Sequence, residues 1–229
     1  PDTDYTFEWS ASANNQTGNT ATDLPAGTHT VTITDSNECT DTLNINITQP
    51  DLLEVSIDID NNVNCNGEDD GQATAVATGG TVNSPADYTF QWDTNAGNQN
   101  TATATELMAN IEYTVTVTDN NNCIAVSQIT LTEPTELSID VVQDKPISCN
   151  GGSDGEATAM PTGGTPEYTY EWSTGDTTPS VTGLTAEMHY VTITDANNCE
   201  AIDSVLIDDV AELTVTVDLV NDVNCNGGS

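Results

Sequence analysis

Three stretches of this chain can be laid over one another. Tyr5-Thr6-Phe7-Glu8-Trp9, Tyr88-Thr89-Phe90-Gln91-Trp92 and Tyr168-Thr169-Tyr170-Glu171-Trp172 form one block. Val31-Thr32-Ile33-Thr34-Asp35, Val115-Thr116-Val117-Thr118-Asp119 and Val191-Thr192-Ile193-Thr194-Asp195 form a second, each followed by an Asn-bearing turn and a cysteine, Cys39, Cys123 or Cys199. Those cysteines stand 84 and 76 residues apart. A repeat of this length constrains the fold more than any other feature, because each copy must close its own core. It is too long for a solenoid unit and the right size for a small β-sandwich. The segments expected are 1–49, the C-terminal part of one repeat; 50–133 and 134–209, two complete repeats; and 210–229, the start of another. The chain stops inside a third Cys-Asn-Gly motif, so it reads as a window cut from a longer protein.

Within one repeat the apolar residues follow a period of two. Leu137, Ile139 and Val141 alternate with polar neighbours, as in a half-buried strand. Cys149 to Gly155 is turn chemistry, Glu156 to Met160 a second short strand, and Gly163-Gly164 with Pro166 another turn. Tyr168, Tyr170 and Trp172 then face one side, like the core tryptophan strand of an immunoglobulin sandwich. Val191 and Ile193 face the core from a later strand, and Ala201, Val205 and Ile207 close the sheet. No segment has helical spacing. The fold class expected is all-β: tandem immunoglobulin-like β-sandwich modules arranged end to end. A domain of this size buries only about 60–65% of its unfolded surface, so added staples would help it.

Charge narrows the partners. The chain has 37 Asp plus Glu against one basic residue, Lys145, for a net charge of −36. Phosphate binding needs Lys and Arg, so nucleic acid is excluded, and anionic headgroups are equally unsuited. No apolar run is long enough to insert in a membrane. Such a balance can also mark disorder, but strict alternation with cysteine and tryptophan at repeated positions points to folded modules.

The Cys149-Asn150-Gly151-Gly152-Ser153-Asp154-Gly155 loop, the block from Gly163 to Ser173 and the Thr194-Asp195-Ala196-Asn197-Asn198-Cys199 turn together resemble the SprB repeat of very large surface adhesins in gliding Bacteroidota. The likeness is close over 149–199, good over 65–123, and extends to the partial repeats. It departs at Glu68-Asp69-Asp70, where the other copy has Gly152-Ser153-Asp154, and at the Val82 to Asp87 insertion. The resemblance implies secretion, through the type IX route, and display at the outer-membrane-attached cell surface as a long thread. It names no ligand. Surface polysaccharide, other cells and neighbouring repeats of the same chain are the partners it implies.

Six cysteines in an acidic, secreted-looking chain favour disulfides over metal ligation. Cys39 and Cys65, Cys123 and Cys149, and Cys199 and Cys225 all lie 26 apart, but constant spacing also follows from constant strand lengths. In a sandwich, Cys65 and Cys123 would sit at opposite poles, beyond the ~4.4–6.8 Å Cα separation a disulfide allows. End-to-end stacking instead brings the Cys65 pole to the next module's Cys199. The pairing expected is therefore Cys65–Cys199, with Cys39, Cys123, Cys149 and Cys225 pairing outside the segment or free.

Carboxylates crowd the turns and joints: Asp58, Asp60, Asp69, Asp70, Asp140, Asp144 and Asp154, with Asp35, Asp119, Asp195, Asp208, Asp209, Asp218 and Asp222. One reading is calcium, which takes six to eight oxygen ligands and would stiffen each joint. The other is a solvated acidic surface that keeps a thread soluble. No cofactor is required, and calcium is the one cofactor these carboxylates suggest. Asp41-Thr42, Asp176-Thr177 and Asp203-Ser204 resemble an Asp-Ser/Thr O-glycan signal, and Asn15 and Asn46 begin sequons.

Catalysis finds no arrangement here. His29 and His189 align with Tyr113, six residues before the aspartate of each module, so the position reads as a strand surface site rather than a base. The function expected is a structural segment of a very long adhesin, a stalk or adhesive thread in surface attachment or gliding. The alternative is a subunit of a non-covalently polymerised filament, sheath or surface layer.

Overall fold

A computed structural model describes residues 4–218. The first module contributes β1 (Thr6–Trp9), β2 (Gly27–Thr34) and β3 (Thr40–Ile47). The second contributes β4 (Glu54–Asn61), β5 (Gly71–Thr78), β6 (Thr89–Trp92), β7 (Thr103–Leu107), β8 (Glu112–Thr118) and β9 (Ile124–Thr130). The third contributes β10 (Ser138–Lys145), β11 (Gly155–Thr162), β12 (Thr169–Trp172), β13 (Ser180–Leu184), β14 (Met188–Thr194) and β15 (Glu200–Leu206). Two single turns of 3-10 helix, Ala11–Ala13 and Pro85–Asp87, are the helical elements among the described residues.

The sheets are β4-β5-β7 with β6-β8-β9, and β10-β11-β13 with β12-β14-β15. Counted within a module, these are strands one, two and four against strands three, five and six. That is the connectivity of an immunoglobulin-like sandwich, with A, B and E in one sheet and C, F and G in the other. The strands of the first module form one sheet, β1-β2-β3. All recorded pairings are antiparallel, for example Trp172 opposite Val191 and Trp9 opposite Val31. Two compact units are distinguished. One holds the described residues up to Ser56 with Val76–Phe90 and Thr116–Ser127; the other holds Ile57–Ala75, Gln91–Val115 and the described residues from Gln128 onward. The middle module contributes to both.

Period-two alternation sets the core. In β14, His189, Val191 and Ile193 are buried between more exposed neighbours, and in β11 Gly155, Ala157 and Ala159 are. Of these, Ala157, Ala159, Val191 and Ile193 pack with Ile147, Trp172, Val181, Leu184, Val205 and Ile207. Each large side chain so buried contributes about 1.5–3 kcal/mol. The three tryptophans fill the same place in each module. A buried indole N–H needs an acceptor, and Trp9, Trp92 and Trp172 donate to the carbonyls of Gly18, Thr101 and Thr178 at 2.8, 3.0 and 2.9 Å.

The strands β7 and β13 were not legible in the sequence. Both are short, and both carry a left-handed residue, Glu106 at φ 58° and Gly183 at φ 79°. The matching register shifts fall at Gly71/Ala73 and Gly155/Glu156 in their partner strands. A bulge of this kind breaks the alternation that marks a strand.

Candidate functional site at the Cys-Asn-Gly loop

The turn that precedes each late cysteine is organised by its aspartate. Asp195 Oδ1 accepts the backbone N–H groups of Asn197 and Cys199 at 2.8 and 2.9 Å, and Oδ2 accepts that of Thr165 at 2.8 Å. Asp119 repeats this with Asn121, Cys123 and Thr81 at 2.9, 2.8 and 2.7 Å. In the first module Asp35 holds Asn37 and Cys39 at 2.9 and 2.8 Å. The aspartate thus ties the cysteine turn to the Gly-Gly-Thr turn. Burial works to raise the Asp195 pKa, but the three N–H donors outweigh it and hold the carboxyl below its ordinary value. Asp119 is lowered too, first by the Thr81 N–H. The paired glycines follow from the same contact. A Cβ on Gly80 or Gly164 would lie 2.7 or 2.6 Å from the aspartate Oδ2, and one on Gly79 or Gly163 would lie 2.0 Å from a backbone oxygen. All four have positive φ, where a side chain is strained.

The Cys-Asn-Gly loop is also closed by a carboxylate. Asp70 Oδ1 accepts the Asn64 N–H at 3.0 Å, and Asp154 Oδ1 accepts that of Ser148 at 2.8 Å. Asp154 Oδ2 takes the Ser148 hydroxyl at 2.5 Å and Lys145 Nζ at 3.0 Å. The Ser148 hydroxyl and N–H, then Lys145, hold the Asp154 carboxyl well below the usual carboxylate range. The asparagine of the motif reaches forward to the segment that follows the last strand of its own module. Asn66 Nδ2 donates to the Pro134 carbonyl at 3.1 Å, and Asn150 Nδ2 to that of Val210 at 2.9 Å. Glu133 reinforces this by accepting the Gly67 N–H at 2.6 Å and the Asn110 amide at 2.9 Å. Asn66 and Asn150 were not singled out from sequence, although Cys-Asn-Gly occurs three times; the tether is visible only once the linker is placed.

The second loop and the third module's turn meet within one compact unit. Cys65 and Cys199 form a disulfide, with S–S 2.05 Å and Cα–Cα 5.7 Å. Asn197 Nδ2 bridges Thr165 Oγ1 at 3.0 Å and the Asn64 carbonyl at 2.8 Å. A groove of about 390 Å³ beside the bond is lined by Asn66, Glu68, Glu136, Leu137, Asn198 and Glu200. Cys39, Cys123 and Cys149 are exposed thiols; Cys225 and Asp222 lie outside the described residues.

Most of the carboxylates considered for calcium accept internal hydrogen bonds. Asp60 and Asp144 accept the hydroxyls of Thr74 and Thr158, both at 2.6 Å, and Asp70 and Asp154 close their loops. Asp209 accepts the Asn150 amide at 2.9 Å. Asp58, Asp69 and Asp140 are exposed on the surface. Among the described residues no three His, Cys, Asp or Glu side chains converge to hold a metal ion. Thr42 in β3 and Thr177 in the loop after β12 are exposed, and Ser204 in β15 is half-buried.

One expectation needs correcting. The position shared by His29, Tyr113 and His189 is not a surface site: these residues are 1%, 1% and 4% exposed. They share a strand face with the core valines two residues on, so the period of two turns them inward. Their polar tips reach back to the preceding turn. Tyr113 donates to the Met108 carbonyl at 3.0 Å and accepts its N–H at 2.8 Å. His29 and His189 Nε2 meet the carbonyls of Pro25 and Thr185 at 2.8 and 3.0 Å. This is the role of the corner tyrosine in immunoglobulin-like domains.

Fold and joint together define a tandem immunoglobulin-like repeat protein. The family model of the SprB repeat matches residues 59–97 and 142–177, about a third of the chain, so the chain carries this repeat twice. No curated protein matches it. Among solved structures, the N-terminal eight Ig domains of Down Syndrome Cell Adhesion Molecule are 13% identical, over 87% of this chain and 31% of that one, with a TM-score of 0.35. A C-terminal intimin fragment, in complex with the intimin-binding domain of its translocated receptor, is 12% identical, over 79% and 57%, at 0.31. The human Desmocollin-1 ectodomain is 12% identical, over 83% and 45%, at 0.29. The chain spans less than two thirds of each. No described helix is long and apolar enough to cross a membrane.

Proposed function

We propose that this chain is a non-enzymatic, extracellular repeat region of adhesin type, acting as stalk or thread in surface attachment or gliding. The observation that carries the reading is the joint. Cys65 of one module is bonded to Cys199 of the next, and Asn66 fixes the linker between them. A module whose loops are spent on holding its neighbour suits a spacer that transmits position along a chain. The net charge of −36 supports the same reading, because it opposes aggregation of a long exposed polypeptide. Type IX secretion and outer-membrane attachment follow from the family likeness. Calcium remains a proposal for the surface carboxylates, tested by melting with chelator against millimolar calcium.

The deciding experiment is the denatured mass of the native protein, boiled in detergent with and without reductant. One species far above the 24.1 kDa of this chain in both lanes supports the thread. A small species in both lanes overturns it in favour of a non-covalent filament or coat subunit. A small species only with reductant overturns it in favour of cross-linked subunits.

A further inference from the structure

The second module carries the same cysteine turn as the third, and among the described residues no loop is bonded to its cysteine. Asp119 holds the turn as Asp195 does, and Asn121 Nδ2 donates to Thr81 Oγ1 at 2.9 Å as Asn197 donates to Thr165 Oγ1. In the third module the same amide also donates to the Asn64 carbonyl. Asn121 is therefore held in the pose that its counterpart uses to grip a loop. Beside it lies a groove of about 330 Å³, lined by Pro50, Leu52, Leu53, Gly80, Cys123 and Ile124. Pro50 stands where Pro134 accepts Asn66 in the closed joint, and Gln49 where Glu133 accepts Gly67. Asn121 and Cys123 are exposed, whereas Asn197 and Cys199, under their loop, are half-buried. Leu52 and Ile124 are 78% and 67% exposed, a large apolar surface for so acidic a chain.

We propose that this end of the second module, Asn121 with Cys123 and the Leu52–Ile124 groove, is a docking site for a Cys-Asn-Gly loop of another copy of the repeat. The loop's cysteine bonds Cys123, and its backbone carbonyl before that cysteine accepts the Asn121 amide. Closing the bond takes two electrons and two protons from the two thiols; a disulfide-bearing oxidant accepts them and becomes a dithiol. The rim also selects the occupant. Where the third module presents Glu136 and Glu200, the second presents Leu52 and Ile124, so a loop with little charge at its fourth position fits, as in Cys149-Asn150-Gly151-Gly152. The inference rests on the joint of the reading above and extends it from one observed contact to a rule: loop cysteine to turn cysteine, one bond per joint.

The test uses the full chain with its Cys65–Cys199 bond intact. The probe is a peptide of the sequence 147–155, its cysteine activated as a mixed disulfide with 2-nitro-5-thiobenzoate. The Cys123 thiolate attacks the peptide sulfur, the new disulfide forms, and the aromatic thiolate leaves, so no further oxidant is needed. Sites are read by Glu-specific digestion and mass spectrometry. Capture at Cys123 is expected at least tenfold faster than at Cys149, and tenfold faster than for a scrambled peptide. Asn121→Ala should remove that preference while leaving the reaction of Cys123 with a small neutral disulfide unchanged. Equal rates at Cys123 and Cys149, or equal rates for the scrambled peptide, overturn the docking site. Either result leaves the denatured-mass experiment, and the thread reading, to stand or fall separately.

Discussion

Replacing Cys65 and Cys199 by serine should cost the chain a large part of its stability. The bond closes a loop of 134 residues. In the chain-entropy account a cross-link of that span stabilises by about 5 kcal/mol at 25 °C. If only one of the two modules opens, roughly half the loop is released and the figure falls to about 4 kcal/mol, since the dependence on length is logarithmic. At 2–4 °C per kcal/mol for a unit of this size, the expected drop in melting temperature is about 8–20 °C. Calorimetry of the oxidised chain against Cys65→Ser/Cys199→Ser measures it, with the remaining thiols alkylated in both. A control with Cys39, Cys123 and Cys149 replaced by serine should melt with the parent chain. A double variant melting within about 2 °C of the parent would refute the reasoning; the joint would then hold only through Asn66, Asn197 and their partners.

Asp195→Ala should destabilise the third module by about 3 kcal/mol, because three N–H groups lose a charged acceptor in a site that is 5% exposed; urea titration followed by Trp172 fluorescence reads this. Asp119, Asp154 and Asp195 are all held below the ordinary value of 3.8. Their contribution is complete above that value and lost as pH falls through the folded values, so the urea midpoint difference between parent and Asp195→Asn should shrink between about pH 5 and pH 3. Tyr113→Phe should cost about 1–3 kcal/mol by leaving the Met108 N–H unpaired in a buried place, whereas His189→Tyr should fold and melt near the parent chain, since the second module already carries tyrosine there. Trp172→Phe should cost about 2 kcal/mol through lost packing and the orphaned Thr178 carbonyl, measured by thermal melting.

The strands with clean alternation were legible because burial on one face writes itself into every second residue. Val191 and Ile193 in β14, or Tyr88 to Trp92 around β6, leave little choice of face. The same rule reached further than it was taken: His189 lies two residues before Val191, and continuing the alternation puts it inside. β13 was hidden because Gly183 interrupts Val181 and Leu184, and a bulge has no periodic signature. The aspartates show a different limit. Sequence records that Asp119 and Asp195 are carboxylates in turns, which suits a cation as well as a cage of N–H groups. Only the placement of Thr81 and Thr165, 38 and 30 residues distant, shows that amide protons occupy both oxygens. The Asn66 tether is of the same kind, joining residues 68 apart.

The Cys65–Cys199 bond also decides what a tensile load can reach. Pulled along its backbone, the chain carries force to Cys65, across two sulfur atoms, and out at Cys199. The intervening residues, most of two modules, are bypassed. Fully drawn out, the span of 134 residues would itself reach about 450 Å at 3.3–3.6 Å per residue. While the bond stands, none of that slack can be paid out. Under oxidising conditions the span between the two cysteines would therefore stay short under load. Reduction would turn the same polypeptide into an extensible tether, with its reserve of length set by where the cysteines fall.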